Sequence, residues 1–200
     1  MITQTHKACR RFGMKICQSD KCPVLRRNYP PGIHGPKGAK RLTQYGTQLR
    51  EKQIAKAVYG LMEKQFVNYY KKAFNQKGDT GEILQQLLET RLDNVIYRAG
   101  FAKTRRMARQ MVSHGMFIVN GQKLDIPSYQ VKIKDEIGIK ESKTKAKTFL
   151  ELDEKLKDRQ TPSWMALDPG KKTVKITGVP KVDDIEQVFS TRLIVEFYSR

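Results

Sequence analysis

The sequence predicts an α+β chain in three parts: an extended N-terminal arm, a helical domain and a small mixed α/β domain. Three observations predict it. Prolines and glycines crowd residues 1–45. Apolar residues recur at helical spacing from about Gln48 to Arg98. Beyond Gly115 the pattern changes to short β-type runs divided by turn signals.

The arm contains Tyr29-Pro30-Pro31-Gly32 and His34-Gly35-Pro36-Lys37-Gly38. Proline fixes φ and lacks an N–H, so this density excludes regular helix. Such a segment cannot bury its own backbone and is expected to order against a partner. In the helical domain (46–90), Ile54, Val58 and Leu61 mark one apolar stripe, and Phe66, Tyr69, Tyr70, Ala73 and Phe74 another. Gly78 is expected to end that helix and Thr80 to cap the next, where Ile83, Leu84, Leu87 and Leu88 face the core.

The mixed domain (91–171) opens with a short helix over 93–99 and a second over 104–114, with Thr104 as N-cap and Gly115 as the left-handed stop. Met107, Ala108, Met111 and Val112 should face a core, leaving Arg105, Arg106 and Arg109 at other positions on the cylinder. Asn120-Gly121 lies between Phe117-Ile118-Val119 and Lys123-Leu124, the type I′ hairpin signal. Residues 131–140 partly alternate and predict a strand; 143–158 are polar and predict a surface helix or loop. Thr173–Ile176 and Leu193–Phe197 read as strands, the latter buried on both faces, and segment 172–200 is expected to join the helical domain.

The formal charge is +19, from 39 Lys+Arg against 20 Asp+Glu. That excess repels itself unless a polyanion neutralises it. Its spread through the whole chain favours a protein laid along nucleic acid over one with a single membrane-binding patch. No apolar run approaches the roughly 18 residues of a membrane span, and Met1–Arg11 lacks the apolar stretch of a signal peptide, so a cytoplasmic protein is expected. The three His are scattered, and no G-x-S-x-G, H-E-x-x-H or P-loop is present, which predicts a non-enzyme.

The three cysteines all precede residue 23 and do not make an even disulfide set. His6, Cys9, Cys17 and Cys22 form H-x2-C-x7-C-x4-C, and three thiolates with an imidazole are a normal tetrahedral zinc set. A metal would supply folding energy to a segment with little core. An Fe–S cluster, or reduced cysteines beside a phosphate-contacting His, are the alternatives.

Over nearly its whole length the chain resembles the S-four proteins of the bacterial small ribosomal subunit. The matching landmarks are RRNYPPGIHG (26–35), YGTQLREKQ (45–53), RLDNVIYRAGFAKTRRMARQMVSHG (91–115), VNGQKLDIPSY (119–129), DEI (135–137) and VEFYSR (195–200). Residues 91 to about 151 resemble the RNA-binding module named after that family. Members of the zinc type carry four cysteines in the arm; Cys9, Cys17 and Cys22 match three, and His6 stands at the first. The resemblance implies a structural binder of small-subunit ribosomal RNA that acts early, at a helix junction in the 5′ domain, and nucleates assembly of the subunit body. It further implies proteins S-five and S-three as neighbours, mRNA passing close by, and an influence on translational accuracy. Arg91-Leu92-Asp93 is also similar to a catalytic tripeptide of RNA pseudouridine synthases, but the chain has no room for their catalytic domain, and Asp93 reads as a helix cap.

RNA helices have a narrow major groove and are read mostly by shape and backbone, so Lys and Arg contacts to phosphate dominate affinity. On the module the candidates are Arg91, Arg98, Lys103, Thr104, Arg105, Arg106, Arg109, Gln110, Ser113 and His114, with Thr104 opening a helix N-terminus. On the arm they are Arg10, Arg11, Lys21, Arg26, Arg27, Tyr29, His34, Lys37, Lys40 and Arg41, with Tyr29 and His34 placed to stack on unpaired bases. Beside the helical domain they are Tyr45, Gln48, Arg50 and Lys52.

Overall fold

The computed structural model describes residues 6–17, 19–37, 41–144, 149, 156, 160–181 and 184–200. They form an α+β protein of two units, one of residues 1–84 with 187–200 and one of residues 85–186.

The first unit begins with a helix, α1 (His6–Phe12), where the sequence predicted only extended chain. Proline does not oppose helix there, because the first proline is Pro23. The Pro/Gly-rich stretch itself forms two single 3-10 turns, Pro23–Leu25 and Gly35–Lys37. Helix α2 (Gln44–Tyr59) opens on Thr43, whose hydroxyl accepts from the Gly46 N–H at 3.2 Å. Helix α3 (Glu63–Phe74) buries Phe66, Tyr69, Tyr70 and Ala73, but its last residue, Phe74, is exposed, and the helix stops ahead of Gly78. Helix α4 (Thr80–Glu89) is capped by Asp79 and not by Thr80. The Asp79 carboxylate accepts from the N–H groups of Gly81 at 2.6 Å and Glu82 at 3.1 Å, where its charge also meets the positive end of the helix dipole.

The expected C-terminal strand is a helix, α7 (Thr191–Tyr198). A short apolar run does not by periodicity alone distinguish strand from helix. Two things decide here. Ser190 caps the N-terminus, accepting from Leu193 N–H at 3.5 Å, and helical spacing places Ile194 and Tyr198 on one side. Ile194 is fully buried, and Tyr198 lies 4.6 Å from Tyr70, ring centre to ring centre. Helix α7 packs along α2.

The second unit holds α5 (Leu92–Arg98), α6 (Arg105–Ser113) and five strands: β1 (Phe117–Val119), β2 (Gln122–Leu124), β3 (Glu136–Ile139), β4 (Met165–Asp168) and β5 (Thr173–Ile176). The strands pair antiparallel in the order β2-β1-β3-β5-β4. The β1–β2 turn is the predicted one, with Asn120 and Gly121 at φ 50° and 79°. The strand expected over 131–140 is confined to β3, because Val131–Asp135 bends into a turn. There the Asp135 carboxylate accepts from Lys132 N–H and from the Asn120 amide, each at 2.8 Å. Phe117, Val119, Ile137 and Val174 pack with Leu92, Val95 and Ile96 of α5 and with Ala108, Met111 and Val112 of α6. Phe149 and Leu156 join this core, against the expectation of a wholly surface segment over 143–158. Residues 145–148, 150–155 and 157–159 of that segment lie outside the described residues. Of segment 172–200, β5 belongs to this sheet, and residues 187–200 group with the first unit. Among the described residues no helix is long and apolar enough to cross a membrane.

Candidate nucleic-acid interface and metal cluster

Helix α6 is built as its spacing requires. The Thr104 hydroxyl accepts from Met107 N–H at 3.1 Å, and Gly115 follows the helix at φ 60°. Ala108, Met111 and Val112 are buried. The opposite side exposes Arg106, Gln110, Ser113 and His114, with Lys103 exposed in the turn before it. Arg109 is half-buried and has a partner in the protein.

Three of the candidate arginines do not share that open surface. Arg105 is buried, its Nε donating to Asn94 Oδ1 at 2.8 Å and its guanidinium lying 4.5 Å from the centre of the Tyr97 ring. Asn94 in turn donates to the Glu89 carboxylate at 2.8 Å and to its carbonyl at 2.9 Å. Arg98 donates to both oxygens of the same carboxylate, at 3.1 and 3.2 Å. Arg91, 2% exposed, grips Asp93 through two bonds of 3.0 and 2.6 Å. Asp93 is therefore a buried ion-pair partner within α5 rather than its cap. Taking an arginine out of water demands an oxygen acceptor, and each of these three has one.

In the first unit Arg11, Lys21, Arg26, Arg27, His34, Lys37, Arg41, Tyr45 and Arg50 are exposed. Arg10 is half-buried. It donates to the carbonyls of Tyr29 and Pro30 at 3.1 and 3.2 Å and covers the Tyr29 ring at 4.7 Å. Lys40 lies outside the described residues. Gln48 and Lys52 are buried on α2 rather than open to a partner: Gln48 donates to Glu196 at 3.0 Å, and Lys52 sits 4.2 Å from the Phe197 ring centre.

Two organising carboxylates, Glu63 and Glu89, had no signal in the sequence, because their partners are brought to them by the fold. Glu63 accepts from Lys52 at 2.9 Å, from Lys56 at 2.6 Å and from the Tyr198 hydroxyl at 2.9 Å. Burial opposes its ionisation, but the bonds from Lys56, Lys52 and Tyr198 outweigh that and hold its pKa at about 2. Burial, and then the bond to the Glu63 carboxylate, push the Tyr198 phenol well above its ordinary range.

The ligand atoms of His6, Cys17 and Cys22 lie within 4.8 Å of one another, so this cluster can hold a metal ion. His6 Nδ1 and Cys17 Sγ are 3.7 Å apart. A tetrahedron with metal–ligand bonds of roughly 2.0–2.3 Å has edges of about 3.5–3.8 Å. Cys9, the fourth expected ligand, is not one of these mutually close atoms; it is buried nearby, its Sγ accepting from Cys17 N–H at 3.4 Å. Burial, then the bond shared with Cys22, raise the Cys17 thiol to about 11. Burial works the same way on Cys22, but donation from Val24 N–H, and then from His6, brings that thiol down to about 7.

Residues 1–89 match the model of the Ribosomal protein S4/S9 N-terminal domain, and residues 90–137 match that of the S4 domain. The chain is 44% identical to the small ribosomal subunit protein uS4 of Syntrophomonas wolfei and 46% identical to that of Clostridioides difficile, with 97% of this chain and 96% of each relative covered. It is 47% identical to the uS4A protein of Alkaliphilus oremlandii over the same shares. At such identity over such coverage, the chain belongs to the uS4 family of small-ribosomal-subunit proteins, structural constituents of the subunit and not enzymes.

Proposed function

We propose that this protein binds small-subunit ribosomal RNA directly and early, and that it nucleates assembly of the subunit body. The single observation that carries this reading is the division of labour on α6. One side is fixed in the core, while Arg106, Gln110, Ser113 and His114, with Lys103, stand in solvent. Arg106 and Lys103 are placed to neutralise phosphates, and the hydroxyl and amide groups to fix register on the backbone. The buried arginines serve a different purpose. Arg105 ties the first turn of α6 to Asn94 on α5, so that the exposed side chains leave a rigid base. The exposed cations of the arm add a second set of backbone contacts. Proteins S-five and S-three as neighbours, mRNA passing close by, and an influence on decoding accuracy complete the proposal.

Zinc is the metal that best suits the cluster, with His6, Cys9, Cys17 and Cys22 as its ligands. When bound, it would supply folding energy to the arm and lock α1 to the turn at Cys22. The N–H···S bond from Cys17 to Cys9 is a supporting contact of the kind that steadies metal thiolates.

The test measures zinc content together with affinity for cognate ribosomal RNA, for the wild type, His6→Ala and Cys17→Ser. One zinc per chain, lost in both variants along with part of the RNA affinity, is expected. Specific RNA binding by a metal-free wild type would remove zinc from the proposal. Failure of the folded wild type to prefer cognate over unrelated RNA at moderate salt would remove RNA binding itself.

A further inference from the structure

A cleft of about 850 Å³ opens between α1 and α2 in the first unit. Its chemistry is unusual for this chain in two ways. Arg10, Arg11 and Arg50 all line it, and among the described residues no carboxylate does. Two of the three guanidiniums are held by backbone carbonyls: Arg10 by Tyr29 and Pro30, and Arg50 by Phe12. A carbonyl orients a guanidinium without neutralising it, so the charge stays available to an anion. The remaining wall is apolar, from Phe12, Tyr29, Pro30, Leu42 and Leu49, with the amides of Asn28 and Gln53 beside it.

A phosphate alone would use the arginines and leave the apolar wall wet. A greasy ligand would use the wall and leave the arginines unanswered. A nucleotide uses both: an anion for the guanidiniums, a planar base for the ring and aliphatic surface, and base edges for the amides. Only an unstacked nucleotide fits, since inside a helix the neighbouring bases cover both faces of a base and its partner covers the pairing edge. The Tyr29 ring already carries Arg10 at 4.7 Å, so base, tyrosine and guanidinium can form one stacked column.

We propose that this cleft takes a single unstacked nucleotide of the ribosomal RNA, which fixes the position of the arm on that RNA. The proposal rests on the RNA-binding reading above and names one nucleotide contact within it.

Two variants test it with the full chain. Gln53→Trp puts a bulky ring into the cleft without changing charge, and Arg11→Gln removes an exposed guanidinium from its rim. Affinity for cognate ribosomal RNA is measured in a salt series, and nucleotide reactivity of the bound RNA is read by 2′-hydroxyl acylation. With Gln53→Trp, affinity is expected to fall roughly tenfold at an unchanged salt slope, within the range that stacking one base contributes. One unpaired nucleotide protected by the wild type should become reactive again. Arg11→Gln should weaken protection of that same nucleotide and lower the slope. Cognate binding by wild type and both variants with identical footprints overturns the cleft proposal and leaves the RNA-binding reading standing. Loss of cognate preference in the wild type would instead strike the earlier reading. Uridine and adenosine monophosphates serve as free probes. Displacement of bound RNA from the cleft by a phosphoserine peptide but by neither nucleotide would also overturn the proposal.

Discussion

Glu63 answers two buried ammonium groups, Lys52 and Lys56, whose side chains are each 7% exposed. Replacing it by Gln leaves both without an anion. Breaking a fully buried pair costs several kcal/mol, but Glu63 is itself 44% exposed and water screens part of the interaction, so a loss of about 2 kcal/mol at pH 7 is expected. The carboxyl is held at about 2 against an ordinary 4.5. Its contribution is therefore complete above pH 4.5 and lost as pH falls through 2. Urea melts of wild type and Glu63→Gln should separate at neutral pH and converge toward pH 2; coincident curves at pH 7 would refute the role given to Glu63. The residue scale is also where the sequence was least legible. Composition marks Arg91, Arg105 and Arg106 as equal cations, yet the first two are buried on Asp93 and Asn94 while the third is exposed. Nothing local in the sequence distinguishes them, because burial is decided by the partners that the fold brings.

At the scale of elements, local signals did best where a cap and a periodic stripe agree. Helix α6 and the β1–β2 hairpin follow their sequence cues almost residue for residue. Helix α7 did not, since its short apolar run, Leu193-Ile194-Val195, fits either period and the deciding aromatic contacts come from distant Tyr45, Phe66 and Tyr70. Helix α1 was hidden for another reason: its evidence is the His and Cys spacing, which speaks of ligands rather than of helix. For α6 the cap yields a test. Thr104→Ala should cost about 1 kcal/mol of stability and Thr104→Ser much less. Hydrogen exchange at the amide of Met107, which the Thr104 hydroxyl satisfies, should accelerate in the alanine variant. Unchanged exchange there would mean the cap is not holding the helix start.

Taken whole, the molecule carries +19. Neutralising about six phosphates would make log affinity fall with log salt at a slope of about −4 to −5. Arg106→Ala should reduce that slope by about one. Arg105→Ala should leave it nearly unchanged and instead lower the melting temperature, because the side chain is already committed to Asn94 and Tyr97. Equal slopes for wild type and Arg106→Ala would take α6 off the phosphate backbone.

The first unit is assembled from both sides of the second in chain order: α7 pairs with α2, and every residue of 85–186 lies between them. Synthesis runs in one direction. A nascent chain that has released residue 186 already contains all of the sheet and its two helices, but still lacks the helix on which Tyr70, Lys52 and Gln48 close. The module that comes second in sequence can thus reach its native state first, while the arm's own domain waits for residues 187–200. Ribosome-bound chains stalled at residues 186 and 200, probed by limited proteolysis after each is given exit-tunnel clearance, would display that order directly.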